Sequence, residues 1–310
     1  MTGQTRAAAL GVVLACVAGA AGLAAQAPVF RGRVDLVQTG VTVTDRKGSL
    51  VTDLTAPDFR IVEDGEEQII GYFASGGVSA DDSAPELHLG VLLDVSGSMT
   101  DDIGFARTAS IKFLNTLTSA LDITLVDFDM QVRVTRYGQS DFARLVERIR
   151  SQKLGAYTAL YDAIGVYLDG AAGQDGRKVM VLYSDGGDTR SALRFGELLD
   201  LLKASDVTVY AIGAIDRRSA AGRGQQRLVL DQIAGATGGQ AYFPLSLEEL
   251  DKIYRQIASE IHAQYTLGYV SANAVADGRW RKVEIRVTRP GAKDLKIRSR
   301  KGYFAPFRRD

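Results

Sequence analysis

Three stretches of this chain place oxygen-bearing side chains where a strand-like run gives way to a turn. The first is Leu92-Leu93-Asp94-Val95-Ser96-Gly97-Ser98-Met99, in which Asp94, Ser96 and Ser98 alternate. Alternation on a tight loop turns the three side-chain oxygens to one side, and Gly97 lets the backbone bend. The second is Gly155-Ala156-Tyr157-Thr158, leading into the helical pattern that begins at Ala159. The third is Leu182-Tyr183-Ser184-Asp185-Gly186-Gly187-Asp188, at the end of another apolar run. Asp94, Ser96, Ser98, Thr158 and Asp185 together supply two carboxylates and three hydroxyls. A donor set made wholly of oxygen suits a hard divalent cation, Mg2+ first, with Mn2+ and Ca2+ as alternatives. Two carboxylates roughly balance the charge of such an ion, and hydroxyls add ligands without adding charge. If the chain supplies no further anion, one position can stay open for an Asp or Glu side chain of a partner protein, and the metal is then expected to be shared between two proteins.

Taken singly, these residues say less. Asp94 alone could be a helix N-cap after a strand, and only the set of five in three distant loops points to a metal. Asp188 is expected to be a loop or cap residue, and Asp127 and Asp129 to be solvated at a strand turn. Enzyme chemistry is poorly provided for. A phosphatase with a nucleophilic Asp at the end of its first strand needs a carboxylate two residues later, and that position is Ser96. A Ser-His-Asp hydrolase needs a histidine nearby. His88 is expected to precede the first strand of the sheet and His262 to end a late helix, both away from the Asp94 turn. No Walker loop or dinucleotide fingerprint occurs, and a zinc site would want His or Cys. The expectation is a protein that is not an enzyme.

The elements that position the three loops alternate in period. Apolar runs at Leu87–Leu93, Leu121–Phe128, Val132–Tyr137, Lys178–Tyr183, Val207–Ile212 and Ala241–Phe243 read as strands. Helical spacing covers Thr100–Leu117, Asp141–Ile149, Ala159–Ala172, Leu193–Leu202, Leu228–Ala236 and a helix capped by Ser246, with Glu249 as its capping-box partner. This predicts an α/β domain over 86–262: a doubly wound, mostly parallel sheet covered by helices on both faces, with right-handed crossovers. In such sheets ligands sit at the carboxyl ends of the strands, where all three loops fall.

On either side the pattern is β. Val34–Val37, Val41–Thr44, Phe59–Glu63 with its Asp64-Gly65 turn, and Ile69–Phe73 precede a small, polar linker at Ser75–Pro85. Tyr265–Val270, Lys282–Thr288 and Lys296–Arg298 follow the α/β part. Each flank, 26–80 and 263–310, is small for a core of its own. They are expected to pair into one smaller β-sandwich-like domain into which the α/β domain is inserted. The last helix runs almost directly into Tyr265, so ligand binding is expected to be coupled to the docking of the β part.

Bulk composition agrees. The chain has 310 residues, 46% hydrophobic and 24% charged, enough for about two domains. With 37 basic and 37 acidic residues the formal net charge is zero, which gives no field to draw nucleic acid. Arg6, the apolar Ala7–Ala24 and the small residues Ala24-Ala25 have the order of a secretory signal, expected over 1–25. The apolar run is short for a span of about 20 residues. An uncleaved anchor, or lipid modification of Cys16 after Val13-Leu14-Ala15, are the alternatives. Cys16 is the only cysteine, so the mature chain would have no disulfide and no thiolate ligand. The expected product is exported, to the periplasm, cell surface or medium, with no integral span after signal removal and with scope for envelope association. Arg217, Arg218, Arg223 and Arg227 form a basic loop. The basic tail Arg298–Arg309 carries Tyr303, Phe304 and Phe307 and could touch anionic lipid or a partner, with a solvated edge strand as the plainer expectation.

The order Asp-x-Ser-x-Ser, then Thr158, then Asp185 resembles the von Willebrand factor type A family and its metal-ion-dependent adhesion site. All five metal positions are filled in order. In that family the serines and the threonine ligate directly and the aspartates act partly through water. The resemblance implies an adhesion or scaffolding module that captures an acidic side chain. A structural component of an envelope assembly, with a purely stabilising metal, is the second implication. Leu54-Thr55-Ala56-Pro57-Asp58-Phe59, Tyr265-Thr266-Leu267-Gly268-Tyr269 and Arg300-Lys301-Gly302-Tyr303-Phe304-Ala305-Pro306 resemble the flanks of exported bacterial proteins of this kind. Tyr157 departs from the pattern, because glycine often precedes the family's threonine, and a bulky ring there would shape the ligand face.

Overall fold

The computed structural model describes residues 36–76, 85–214 and 220–307, and the side chains of all but 220–223 among them. The expected signal segment, most of the Ser75–Pro85 linker and Arg217 and Arg218 lie outside the described residues, as does the side chain of Arg223.

A six-stranded sheet forms the centre of the α/β part. Its strands are β5 (Leu87–Asp94), β6 (Ala120–Phe128), β7 (Val132–Gly138), β8 (Arg177–Ser184), β9 (Thr208–Gly213) and β10 (Gln240–Tyr242). They lie in the order β10-β9-β8-β5-β6-β7, all parallel except β7, which returns antiparallel beside β6. Every residue of β5 is buried, which explains its nearly continuous apolar run: a strand covered on both faces has no solvent-facing side to carry polar residues. Helices α1 (Ile103–Leu114), α2 (Phe142–Ser151) and α6 (Leu247–Ala263) cover one face, with Phe113, Leu145, Ile149 and Ile257 in its core. Helices α3 (Leu160–Ala171), α4 (Phe195–Ala204) and α5 (Ala220–Ala236) cover the other, with Ile164, Leu198 and Ile233 in its core. The glycine of β5 sets the closeness of that second layer, since a Cβ on Gly90 would lie 2.3 Å from the Tyr167 ring.

Local differences from the sequence expectation have local causes. Helix α1 begins at Ile103 because Gly97–Met99 forms a 3-10 turn first. At α6 the Ser246 hydroxyl accepts the Glu249 amide at 3.3 Å, but Glu249 Oε2 takes the amide of Leu245, at 2.6 Å, rather than that of Ser246. His88 does not precede the first strand; it is the second residue of β5 and is buried. The sheet accepts it because both ring nitrogens are met, Nδ1 by Asp122 Oδ2 at 3.0 Å and Nε2 by the Asp175 carbonyl at 2.7 Å.

Both flanks contribute to each sheet of a β-sandwich. The strands are β1 (Leu36–Thr44), β2 (Phe59–Glu63), β3 (Glu66–Gln68), β4 (Ile70–Ala74), β11 (Tyr265–Val270), β12 (Trp280–Val287), β13 (Lys296–Arg298) and β14 (Gly302–Phe304). One sheet runs β13-β1-β11-β4 and the other β14-β12-β2-β3. The two branched clusters expected as separate strands are one strand, β1, whose first part pairs with β11 and whose last three residues pair with β13. Between β2 and β3, Asp64 (φ 48) and Gly65 (φ 96) make the tight turn that the dipeptide predicts. Val41, Phe59, Ile61, Tyr265, Leu267, Val283 and Ile285 fill the core. Glu63 is buried there and accepts hydroxyls from Tyr269 (2.7 Å), Tyr303 (2.9 Å) and Ser271 (2.5 Å).

The α/β body and the sandwich meet at α6. Only Gln264 separates α6 from β11. Glu260 accepts the Tyr242 hydroxyl at 2.9 Å and pairs with Arg298 of β13. Arg177 of β8 donates to the Ile261 carbonyl at 2.5 Å and to Gln264 Oε1 at 3.3 Å.

Candidate metal centre

The strand order reverses between β5 and β8, which leave the middle of the sheet in opposite directions of topology. A crevice opens at the carboxyl ends of strands at such a point. Asp94 is the last residue of β5 and Ser184 the last of β8, so the sheet itself brings these two side chains together. Ser184 Oγ donates to Asp94 Oδ2 at 2.7 Å. The other carboxylate oxygen, Oδ1, accepts the Ser96 amide at 2.9 Å and closes the turn into the 3-10 segment. Within that turn Ser96 Oγ and Ser98 Oγ lie 3.1 Å apart, so the alternation of the first loop does gather its oxygens. Asp94 and Ser96 are buried, and Ser98 is exposed at the mouth.

The Thr158 loop packs directly on the first. The Gly155 amide donates to the Val95 carbonyl at 2.8 Å, and a Cβ on Gly97 would stand 3.2 Å from the Gly155 carbonyl. Thr158 is buried, and its backbone is clamped to the third loop: its amide donates to Thr189 Oγ1 at 3.0 Å, and its carbonyl accepts the amides of Thr189 at 2.9 Å and Arg190 at 3.0 Å. In the third loop Gly186 adopts φ 80 and its amide reaches Ser184 Oγ at 3.0 Å, while the Gly187 amide meets Asp185 Oδ1 at 2.8 Å. All three loops that carry the five residues are therefore tied to one another.

Electrostatics distinguish this crevice from an ordinary capped turn. Burial pushes the Asp94 carboxyl up to about 6, against the pull of its bonds to Ser96 and Ser184, and the neighbouring Asp185 charge adds to the rise. Among the described residues no Lys, Arg or His lies within ion-pair distance of Asp94 or Asp185. Among the described residues this buried carboxylate, beside a second one, is met only by hydroxyls and amides and by no positive charge. The donor set fits a hard divalent ion, for which Asp94, Ser96, Ser98, Thr158 and Asp185 would be the holders and which would supply the missing charge. Among the described residues no three His, Cys, Asp or Glu side chains gather, so a cation here depends on the hydroxyls.

Other residues take roles that sequence reasoning did not give them. Ser184 was not among the expected site residues, although its place at the end of an apolar strand, opposite Asp94, was a usable signal. Asp127 is not solvated: it is buried and paired with Arg133 Nε at 2.5 Å and Arg148 Nη2 at 2.7 Å, because the β6–β7 register puts Arg133 opposite and α2 supplies Arg148. Asp129 is half-buried behind Gly155, where a Cβ would come within 2.2 Å of its Oδ2. Its burial would raise the carboxyl, but the Gln131 amide and Arg133 hold it below its ordinary value. Asp188 is the cap expected of it, accepting the Tyr161 amide at 3.0 Å and the Ser191 hydroxyl at 2.5 Å. Tyr157 is exposed at the rim, with the Arg190 guanidinium 6.0 Å from its ring centre.

The solved structures to which this chain is similar match it at low identity. A pilus adhesin, SpaC from Lactobacillus rhamnosus GG in an open conformation, aligns at TM-score 0.50 and 11% identity over 82% of this chain and 48% of its own. A von Willebrand factor type A protein from Catenulispora acidiphila aligns at 0.48 and 13% over 91% of this chain and 76% of its own. The PilB minor pilin from Streptococcus sanguinis aligns at 0.47 and 11% over 60% of this chain and 63% of its own. The chain thus spans under two thirds of the pilin and about half of the adhesin. No curated protein matches. The von Willebrand factor type A domain profile matches residues 88–256, more than half of the chain and the whole stretch that carries the three loops. The chain belongs to the von Willebrand factor type A domain family.

Proposed function

We propose that this chain is an exported protein-binding module, adhesive or scaffolding, and not an enzyme. Its Asp94, Ser96, Ser98, Thr158 and Asp185 hold one divalent cation, Mg2+ before Mn2+ or Ca2+, and an Asp or Glu of a partner protein completes the coordination. The observation that carries this is the buried Asp94 carboxylate, bonded only to Ser96 and Ser184 in a crevice of hydroxyls where, among the described residues, no side-chain cation lies within ion-pair distance. The exposed Ser98 and Tyr157 form the mouth where a partner's side chain would enter. The family membership and the fold shared with a pilus adhesin support a binding role. Both histidines are committed elsewhere: His88 to Asp122 and Asp175 at the far end of β5, roughly 20 Å along the strand from Asp94, and His262 to the Ala258 carbonyl.

The depth of Asp94, Ser96 and Thr158 also favours a second function, a metal that only stabilises a component of an envelope assembly. Two measurements separate the two. Thermal unfolding with Mg2+ and with chelator should show a higher midpoint with the ion, in proportion to ln(1 + [Mg2+]/Kd), and no such rise for Asp94→Ala. A pull-down from envelope extract should then recover a partner with the wild type in Mg2+ and lose it with chelator or with Asp94→Ala. Stabilisation without any metal-dependent partner would leave the structural role standing. No midpoint change with any divalent ion would end both.

A further inference from the structure

The end of the β12–β14 ladder carries an apolar tip that the metal centre does not use. Trp280 pairs with Phe304 in register, and their rings meet edge to face at 5.1 Å. The indole lies on the backbone of Gly302, where a Cβ would come 2.5 Å from it. One step further along, Phe307 is bridged to Asp277 and packs on Gly278. The Ala305 amide donates to the Arg279 carbonyl at 2.8 Å and the Gly278 amide to the Pro306 carbonyl at 3.2 Å, so the backbone under these rings is fixed. Trp280, Phe304 and Phe307 are nonetheless exposed, Phe307 at 67%, and so is Val275 on the adjoining loop. Rings held in place yet open to solvent lose little freedom on meeting an apolar phase.

Cations flank this tip. Arg279, Lys282 and Lys301 are exposed. The acids near them are engaged: Asp277 and Asp64 by the buried Arg281, at 3.1 and 4.0 Å, and Glu284, whose charge both lysines feel, by Arg286 at 2.9 Å. Arg279 Nε stands 3.8 Å from Asp277. Among the described residues neither Lys282 nor Lys301 forms an ion pair. Outward, the surface presents leading aromatic rings with Lys282 and Lys301, neither in an ion pair among the described residues, and the exposed Arg279 beside them. Tryptophan and phenylalanine settle at the headgroup level of a bilayer, and nearby Lys and Arg add attraction to anionic lipid.

We propose that this end of the β-sandwich docks on an anionic lipid bilayer, with Trp280, Phe304 and Phe307 entering the interface and Arg279, Lys282 and Lys301 meeting the headgroups. The docking is independent of the metal centre. Trp280 is the only tryptophan of the chain, so its fluorescence reports on this site alone. The full chain is mixed with vesicles of phosphatidylglycerol and phosphatidylethanolamine, with phosphatidylcholine vesicles as the neutral comparison, some carrying brominated acyl chains. The readout is taken at Trp280 rather than by sedimentation, which the apolar residues 7–24 could drive unaided. The expected result is a blue shift and bromine quenching of Trp280 with anionic vesicles only, weakened by salt and unchanged by chelator. Lys282→Glu with Lys301→Glu and Phe307→Ser should lower the apparent vesicle affinity by about tenfold or more at an unaltered unfolding midpoint. Phe307→Ser alone, at so exposed a position, keeps the comparison free of folding defects. Absence of Trp280 quenching by anionic vesicles overturns the proposal. So does quenching that ignores the substitutions, or a Trp280 shift given by soluble polyglutamate and not by vesicles, which would make the surface a site for acidic protein.

Discussion

Asp94 holds the most consequential proton of the molecule. Its folded carboxyl sits at about 6 against an ordinary 3.8, first because it is buried and next because Asp185 is beside it. A raised carboxyl destabilises the fold once it ionises. Below pH 3.8 Asp94 is neutral in both folded and unfolded chains and costs nothing. Between 3.8 and about 6 the unfolded chain ionises first, and stability falls as pH rises. Above about 6 the full cost applies, on the order of 3 kcal/mol for a displacement of this size. In chelator, Asp94→Asn should therefore gain on the wild type as pH rises from 4 to 7 and then hold level. Urea unfolding of both proteins across that range checks this, and parallel stability curves would sink it. With Mg2+ present the wild type should recover at neutral pH and the variant should not, because the ion supplies the charge that Asn no longer needs.

Among the elements, α6 makes the connections that matter most between the two parts. Glu260 on its last turn holds Tyr242 of β10 and Arg298 of β13 at once, and all three are largely shielded from water. Removing one partner of a buried pair strands the other, which costs about 3–5 kcal/mol. Glu260→Ala is expected to lose that much in urea unfolding, and Glu260→Gln less, because the amide oxygen still accepts the Tyr242 hydroxyl. Equal and small losses for both would show the Arg298 contact to be dispensable. The same helix end is held by Arg177 and passes through Gln264 straight into β11. Movement of α6 along its axis would have to carry β11 with it, which gives physical content to the expected coupling between ligand capture and the β part.

At the scale of the whole molecule, the sandwich cannot form from either flank alone, since β1–β11, β4–β11, β1–β13 and β2–β12 each join residues from opposite ends of the chain. Closing those pairs requires the α/β part to be folded between them. Unfolding should thus be one cooperative event. Trp280 fluorescence reports on the sandwich, and far-ultraviolet circular dichroism is dominated by the helices of the α/β part. The two urea transitions are expected to coincide, and a Trp280 transition that precedes the helical one would show the sandwich to be separable.

The alternation of strands and helices, the nearly continuous apolar run of β5, the Asp64-Gly65 turn and the gathering of the Ser96 and Ser98 hydroxyls in one turn were legible in the residues, because each depends on side-chain direction over a short stretch of chain. What the tertiary structure alone decided is adjacency. That β5 lies beside β8 determines that Ser184 bonds Asp94; that Arg133 faces Asp127, with Arg148 brought in by α2, turns an apparently solvated acid into a buried pair. The same holds for His88, read as preceding the sheet and found inside β5, where Asp122 and the Asp175 carbonyl satisfy it, and for Tyr303 in a basic tail, which reaches the buried Glu63. Periodicity sets which way a side chain faces. Its partner is set by the packing of elements far apart in sequence, where a charged group is buried only if another one is brought to meet it.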